Sequence, residues 1–153
     1  MLHVARSFID ASKLSGFATS RFVSVENEPE RIRFIASDLV REGKLAEANL
    51  LTHEALQKYP QSEDVLVMRA LILQVMQDWS TARQVLEKLL ALQGPHAPAE
   101  TWCHWVRVLR CEGMAQQAFE AATTALTKYP DHPVLAAELA QLQTVSQPEQ
   151  RAA

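Results

Sequence analysis

GKLAEANLLTHEALQKYP, residues 43–60, and GMAQQAFEAATTALTKYP, residues 113–130, are two copies of one pattern. Each opens on a glycine (Gly43, Gly113) and carries an alanine at the same distance (Ala48, Ala118). Each then closes on an Ala-Leu pair just ahead of Lys-Tyr-Pro. The two closing prolines, Pro60 and Pro130, stand 70 residues apart, which is two units of 34 with a two-residue insertion. A middle unit therefore lies between them. Residues 63–96 supply it, with Ala70, Asp78-Trp79 and Ala82 at the corresponding places and Gly94-Pro95 at the end. A period of this size marks stacked supersecondary units, each too small to bury its own apolar face.

Working outward, every unit reads as two helices. In the first, Ile32, Ile35, Ala36 and Leu39 recur at three- and four-residue steps, which is one face of a helix. Gly43 supplies the left-handed or otherwise bent conformation that ends it. Leu45, Ala48, Leu51, Ala55 and Leu56 mark the second helix, stopped ahead of Pro60. The third unit repeats this with Trp102, Trp105, Val106 and Leu109, then Gly113, then Ala118, Ala122, Ala125 and Leu126. Alanine at 48, 82 and 118 has a mechanical reason, because two helices crossing at roughly 8–10 Å need a side chain without bulk at the crossing.

These residues resemble the tetratricopeptide repeat, whose unit runs W-x2-L-G-x2-Y, then A-x3-F, then P. The third unit has Trp102, Trp105, Val106, Leu109, Ala118, Ala122 and Pro130 at those places, and the first has Ile32, Ile35, Ala36, Leu39, Ala48, Thr52 and Pro60. The middle unit has Leu66, Arg69, Ala70, Leu73, Ala82 and Leu86, with Gly94 in place of the proline. The resemblance covers residues 29–132. It implies an all-α fold of stacked antiparallel helix hairpins, an α-solenoid with a right-handed superhelix. The expected organisation is an N-terminal cap or tether (1–28) and three repeats (29–62, 63–96, 99–132). A capping helix (133–143) and a disordered tail (144–153) follow. Two departures stand out: Arg69 sits where an apolar residue is usual, and Ala97-Pro98 after Gly94-Pro95 imply a longer turn before the third unit.

The flanks are read from pattern. PVLAAELAQLQ, residues 133–143, opens on a proline suited to a first helical turn and carries Leu135, Leu139 and Leu142, as a cap on the raw end of a stack would. Near the start, Leu2, Ala5, Phe8 and Ile9 suggest a short amphipathic helix, and Gly16, Phe17, Phe22, Val23 and Val25 follow without clear periodicity. This segment either packs back on the first repeat or mediates association with another molecule.

Composition narrows the function classes. With 48% hydrophobic residues, a net charge of −3 and a pI near 5.9, the chain has material for one core and no global attraction to nucleic acid or anionic membrane. No apolar run approaches the ~20 residues that span a bilayer. Asp10 and Lys13 interrupt any export-signal pattern, so a cytoplasmic location is expected. Cys103 and Cys111 lie eight residues apart on one helix, ~12 Å at 1.5 Å per residue, too far for a disulfide. Cys103, His104 and Cys111 point to different sides of that helix and do not compose a metal cage. The sequence has no phosphate loop, no H-E-x-x-H and no G-x-S-x-G. Neither catalysis nor a cofactor is expected, and Trp102 and Trp105 are read as core.

What the resemblance implies is a concave surface lined by the first helix of each repeat, binding a partner polypeptide. The lining positions are Arg33, Ser37, Val40 and Arg41, then Val67, Leu71 and Gln74, then Cys103, Arg107, Arg110 and Cys111. An apolar middle flanked by guanidinium groups suits an extended or helical segment with acidic edges. Arg107 and Arg110 are read as solvent-facing, so reversing their charge is expected to cost within ~0.5 kcal/mol. Some family members grip a C-terminal carboxylate with paired asparagines, and Ser37 and Met68 stand in their places here. The expected role is an adaptor or chaperone-like module. The alternatives are a small chaperone of the bacterial type III secretion kind, similar in size and repeat number, and a self-assembling homo-oligomer.

Overall fold

In the computed structural model, residues 28–145 are described. The expected helix around Leu2–Ile9 lies outside them, as does the polar tail from residue 146. Among the described residues there are seven α-helices and no strand. They are α1 (Glu28–Arg41), α2 (Leu45–Lys58), α3 (Glu63–Val75), α4 (Trp79–Gln93), α5 (Ala99–Cys111), α6 (Ala115–Lys128) and α7 (Pro133–Val145). The protein is all-α and its elements follow one another as helical hairpins. The capping helix runs to Val145, two residues beyond the expected end, within the usual fraying of a helix terminus.

Three turns between paired helices are built alike. The N–H of Gly43 donates to Val40 O (3.0 Å) and that of Lys44 to Leu39 O (2.8 Å). Gly113 and Met114 repeat this onto Arg110 O and Leu109 O, at 3.1 and 2.9 Å. Gln77 and Asp78 do so onto Gln74 O and Leu73 O, at 3.0 and 2.9 Å. This is the Schellman closure, and it needs a left-handed residue at its centre. Gly43 (φ 76°) and Gly113 (φ 85°) supply it without strain; in the middle turn Gln77 is forced to φ 60°. The next residue offers compensation, since Asp78 caps α4 by accepting from the Thr81 N–H (3.2 Å).

The structure divides into two compact units, one ending at Ile72 and the other beginning at Leu73. In the first unit α1 packs on α2, and Ile35, Ala36, Ala48, Leu51 and Ile72 form the core, with Ile32, Leu39, Val40 and Met68 against it. Arg69 is buried there, which accounts for a charged residue at an apolar place. Its Nη1 donates to both the carbonyl and the side-chain oxygen of Asn49, at 3.0 and 2.9 Å. In the second unit α5 packs on α4, α6 and α7, and α6 packs on α7. Val106, Leu109, Ala118, Ala122, Ala125, Leu135 and Leu142 lie at the centre, flanked by half-buried Trp102 and Trp105. Ala48, Ala82 and Ala118 are completely buried. The longer turn ahead of α5 is a short 3-10 segment, Gly94–His96, followed by a buried Ala97.

The tyrosine of each Lys-Tyr-Pro closes its own repeat. Tyr129 donates its hydroxyl to Ala97 O (2.7 Å), just ahead of α5, and Tyr59 donates to Glu28 at the start of α1. Lys58 joins the second cluster, its Nζ bonding Glu28 Oε2 at 2.9 Å. The tyrosine hydroxyl, then the lysine, hold the Glu28 carboxyl below its ordinary pKa.

Candidate functional site

The lining positions fall on both units, and each unit is described by itself. On the first, Arg33 is exposed and pairs with Asp64 of α3, Nη1 to Oδ1 at 3.0 Å. Arg41 is exposed and pairs with Asp38 one turn back on α1. Ser37 is exposed, while Val40, Val67 and Leu71 are half-buried. Val40 packs against the core.

On the second unit the arrangement is tighter. Cys103 is buried in the core, so it does not offer an accessible lining side chain; its Sγ lies 3.7 Å from His132 Nδ1 at the foot of α7. Burial, with Glu100 adding, pushes the Cys103 thiol above its ordinary pKa. Cys111 is exposed, and both cysteines are free. Gln74 is half-buried and meets α5 through His104, Oε1 to Nδ1 at 3.1 Å. Burial, and next the charge of Arg107, hold His104 below its ordinary pKa, so the ring is neutral at pH 7.

The two arginines of α5 converge on a single residue of α7. Arg107 Nε donates to Glu138 Oε1 (3.2 Å), and Arg110 Nε donates to Glu138 Oε2 (2.9 Å). The Glu138 side chain is 7% exposed, while those of Arg107 and Arg110 are 42% and 30% exposed. Arg107 and Arg110 lie one helical turn apart, so their side chains leave α5 on one face and reach the same facing point. Both hydrogen bonds to Glu138 use Nε–H; among the described residues the terminal Nη groups donate none. The cluster carries two positive charges and one negative.

This corrects the expectation that Arg107 and Arg110 can be reversed at almost no cost. Glutamates there would confront a buried carboxylate that has lost both its partners, a several-kcal/mol penalty rather than ~0.5. Glu138 was missed by sequence reasoning, although a signal exists: Leu135, Glu138 and Leu142 are spaced three and four apart, which sets the one charge of PVLAAELAQLQ on the buried stripe. Among the described residues, no three or more His, Cys, Asp or Glu side chains gather as a metal ion would need. No helix there is long and apolar enough to cross a membrane.

Residues 64–93, spanning α3 and α4, match the family model of the tetratricopeptide repeat. The chain has the tetratricopeptide-repeat fold, with one repeat matched by the family model. Several solved structures of the fold are similar to it. The first such domain of Spaghetti (RPAP3), bound to the HSP90 peptide SRMEEVD, is 12% identical at a TM-score of 0.70, covering 78% of this chain and 94% of that one. The second such domain of human RPAP3, in complex with the HSP70 peptide SGPTIEEVD, is 15% identical at 0.65, covering 75% and 98%. The Yersinia enterocolitica type III secretion translocator chaperone SycD is 13% identical at 0.68, covering 83% and 99%. Identities this low speak for the fold alone. No curated protein matches the chain in sequence.

Proposed function

We propose that this protein binds a segment of another polypeptide, and that Arg107 and Arg110 anchor an acidic group of that segment. The carrying observation is the sharing of one buried carboxylate by two guanidinium groups. Each arginine is fixed by its Nε–H, yet each keeps its Nη donors for a further acceptor. A planar fork held in place loses little freedom when it pairs with a carboxylate, so the cost of ordering is met before the partner arrives. The excess positive charge in a chain of net charge −3 gives the partner a local electrostatic direction.

Binding is favoured over catalysis by the state of the nearest reactive group. The Cys103 thiol beside His132 is buried and its pKa is raised, whereas a nucleophilic cysteine needs its thiolate stabilised. The peptides seen in the similar structures, SRMEEVD and SGPTIEEVD, are themselves acidic, which supports an acidic partner without naming one.

The test uses affinity capture from the host with the parent chain and the triple variant Arg107→Gln, Arg110→Gln, Glu138→Gln. Removing all three charges together avoids stranding Glu138, so the fold is kept. A partner retained by the parent, lost with the triple variant and released by moderate salt is the expected result. An identical set of captured proteins with both chains refutes the anchoring role.

A further inference from the structure

Along α5, Glu100, His104 and Arg107 follow one another at steps of four and three residues, which sets them on one stripe of the helix. Glu100 lies in the first turn, exposed, and among the described residues it makes no hydrogen bond or ion pair. Arg107 stands seven residues on, ~10.5 Å along the axis and only ~20° around it. Both charges are felt by the residues between them. Burial comes first at His104 and at Cys103; after it, Arg107 lowers and Glu100 raises the His104 pKa, while Glu100 raises and Arg107 lowers that of the Cys103 thiol. The middle of the stripe is uncharged, since His104 is neutral at pH 7 and bonded to Gln74. The neighbouring α7 adds no exposed charge, because Glu138 is its sole charged residue and is buried. This side of α5 therefore runs from a free carboxylate, through a neutral centre, to the arginine pair.

We infer that the polypeptide segment bound on α5 has mixed charge: an acidic side chain held by Arg107 and Arg110, and a basic one ~10 Å away that pairs with Glu100. This rests on the anchoring role proposed above for the two arginines and adds a second, opposite charge to the partner. Charge complementarity selects the occupant. A wholly acidic segment sets a like charge against Glu100, and a wholly basic one sets a like charge against the arginine pair. Common backbone conformations supply the required separation on a single face, since three residues of polyproline II rise ~9 Å and seven residues of an α-helix ~10.5 Å. Two opposite charges at fixed places also orient the segment, its base towards the start of α5 and its acid towards the end. A carboxylate in a first turn offsets the helix dipole as well. That effect is indifferent to the charges of a ligand, so ligand choice separates it from recognition.

Synthetic peptides on one uncharged background, titrated against the full-length chain at low salt, test this. One carries Lys and Glu, one Gln and Glu, and one Glu twice, the pair spaced by three residues in an extended set and by seven in a helical set. The parent is expected to bind the Lys–Glu peptide about threefold more tightly than the Gln–Glu peptide, and the Glu–Glu peptide about threefold more weakly, as an exposed ion pair allows. Glu100→Lys is expected to reverse this ranking. Glu100→Gln, the milder change, is expected to make the Lys–Glu and Gln–Glu peptides equal. A ranking that both variants leave unchanged overturns the inference, as does a parent that does not prefer the Lys–Glu peptide. The triple variant Arg107→Gln, Arg110→Gln, Glu138→Gln tells the two claims apart. If it binds the Gln–Glu peptide as the parent does, the anchoring role fails. If it loses that peptide while the Glu100 variants keep the parent's ranking, anchoring stands and the second charge is refuted.

Discussion

Replacing Glu138 by Gln separates stability from binding in this protein. The substitution keeps shape and removes one charge, so it ends two charge-assisted hydrogen bonds, at 3.2 and 2.9 Å. Hydrogen bonds to charged groups contribute roughly 1.5–3 kcal/mol each in net terms. Three effects reduce the sum here. The amide oxygen still accepts one bond from a guanidinium, a buried amide is cheaper to desolvate than a carboxylate, and the arginines, 42% and 30% exposed, can turn towards water. The expected loss is therefore ~1–2 kcal/mol, a fall in Tm of about 3–8 °C for a domain of this size.

The companion variants fix the interpretation. Arg107→Gln leaves Glu138 with its shorter bond to Arg110 and is expected to cost ~0.5 kcal/mol, as an exposed pair does. Arg110→Gln removes the shorter bond and is expected to cost ~1 kcal/mol. Removing both arginines strands the buried carboxylate and is expected to cost ~3–5 kcal/mol, well above the sum of the two single changes. Urea denaturation followed by circular dichroism reads all four values. Binding runs the other way: Glu138→Gln leaves two guanidinium groups uncompensated, so an acidic partner associates faster and its affinity depends more steeply on salt. Simple addition of the two arginine effects would refute the shared-carboxylate argument, and weaker binding by Glu138→Gln would refute the anchoring role.

Three other outcomes follow from the same coordinates. Ala82→Leu and Ala118→Leu are each expected to lose roughly 1–3 kcal/mol in thermal melts, because both alanines are completely buried. Gln77→Gly is expected to raise stability by ~0.5 kcal/mol: relief of ~1 kcal/mol of left-handed strain at φ 60° is partly offset by the entropy of glycine in the unfolded chain. His104 has a folded pKa lowered by burial, so the unfolded chain takes up its proton first as pH falls. Its contribution is present above about pH 6.5 and is lost as pH falls through the folded pKa; in melts across that window, His104→Gln is expected to flatten the dependence.

Much of the fold was legible because its determinants are local. Gly43 and Gly113 announce left-handed turns, and Ala48, Ala82 and Ala118 announce close crossings. Apolar residues at three- and four-residue steps then give the helices between. Gln77 carries no such announcement, since the same turn geometry is imposed there on a residue that does not prefer it. The site was less legible because a helical wheel cannot distinguish a solvated arginine from one held by a carboxylate on another helix. Arg107 looks the same in both cases until α7 is placed. Cys103 failed in the opposite direction, since its lining position in the repeat does not reveal that its thiol faces the core.

A rule for polar residues can nevertheless be drawn from the pairs themselves. Arg33–Asp64, Tyr59–Glu28, His104–Gln74, Arg107–Glu138 and Tyr129–Ala97 each join residues 30–32 apart, and Arg110–Glu138 spans 28. The repeat is 34 residues long, so these partners lie a little less than one period from each other. The reason is geometric. A hairpin returns the chain to the level at which it began, so Tyr59 and Tyr129 at its end meet its own start, while the other pairs join equivalent helices of successive hairpins, short of one period by the few residues of offset between donor and acceptor. Hydrophobic periodicity operates at three and four residues and locates helices. Polar complementarity operates near 31 and locates what those helices say to each other. Applied to PVLAAELAQLQ, the second period selects Glu138 as the counterpart of Arg107 before any coordinate is known.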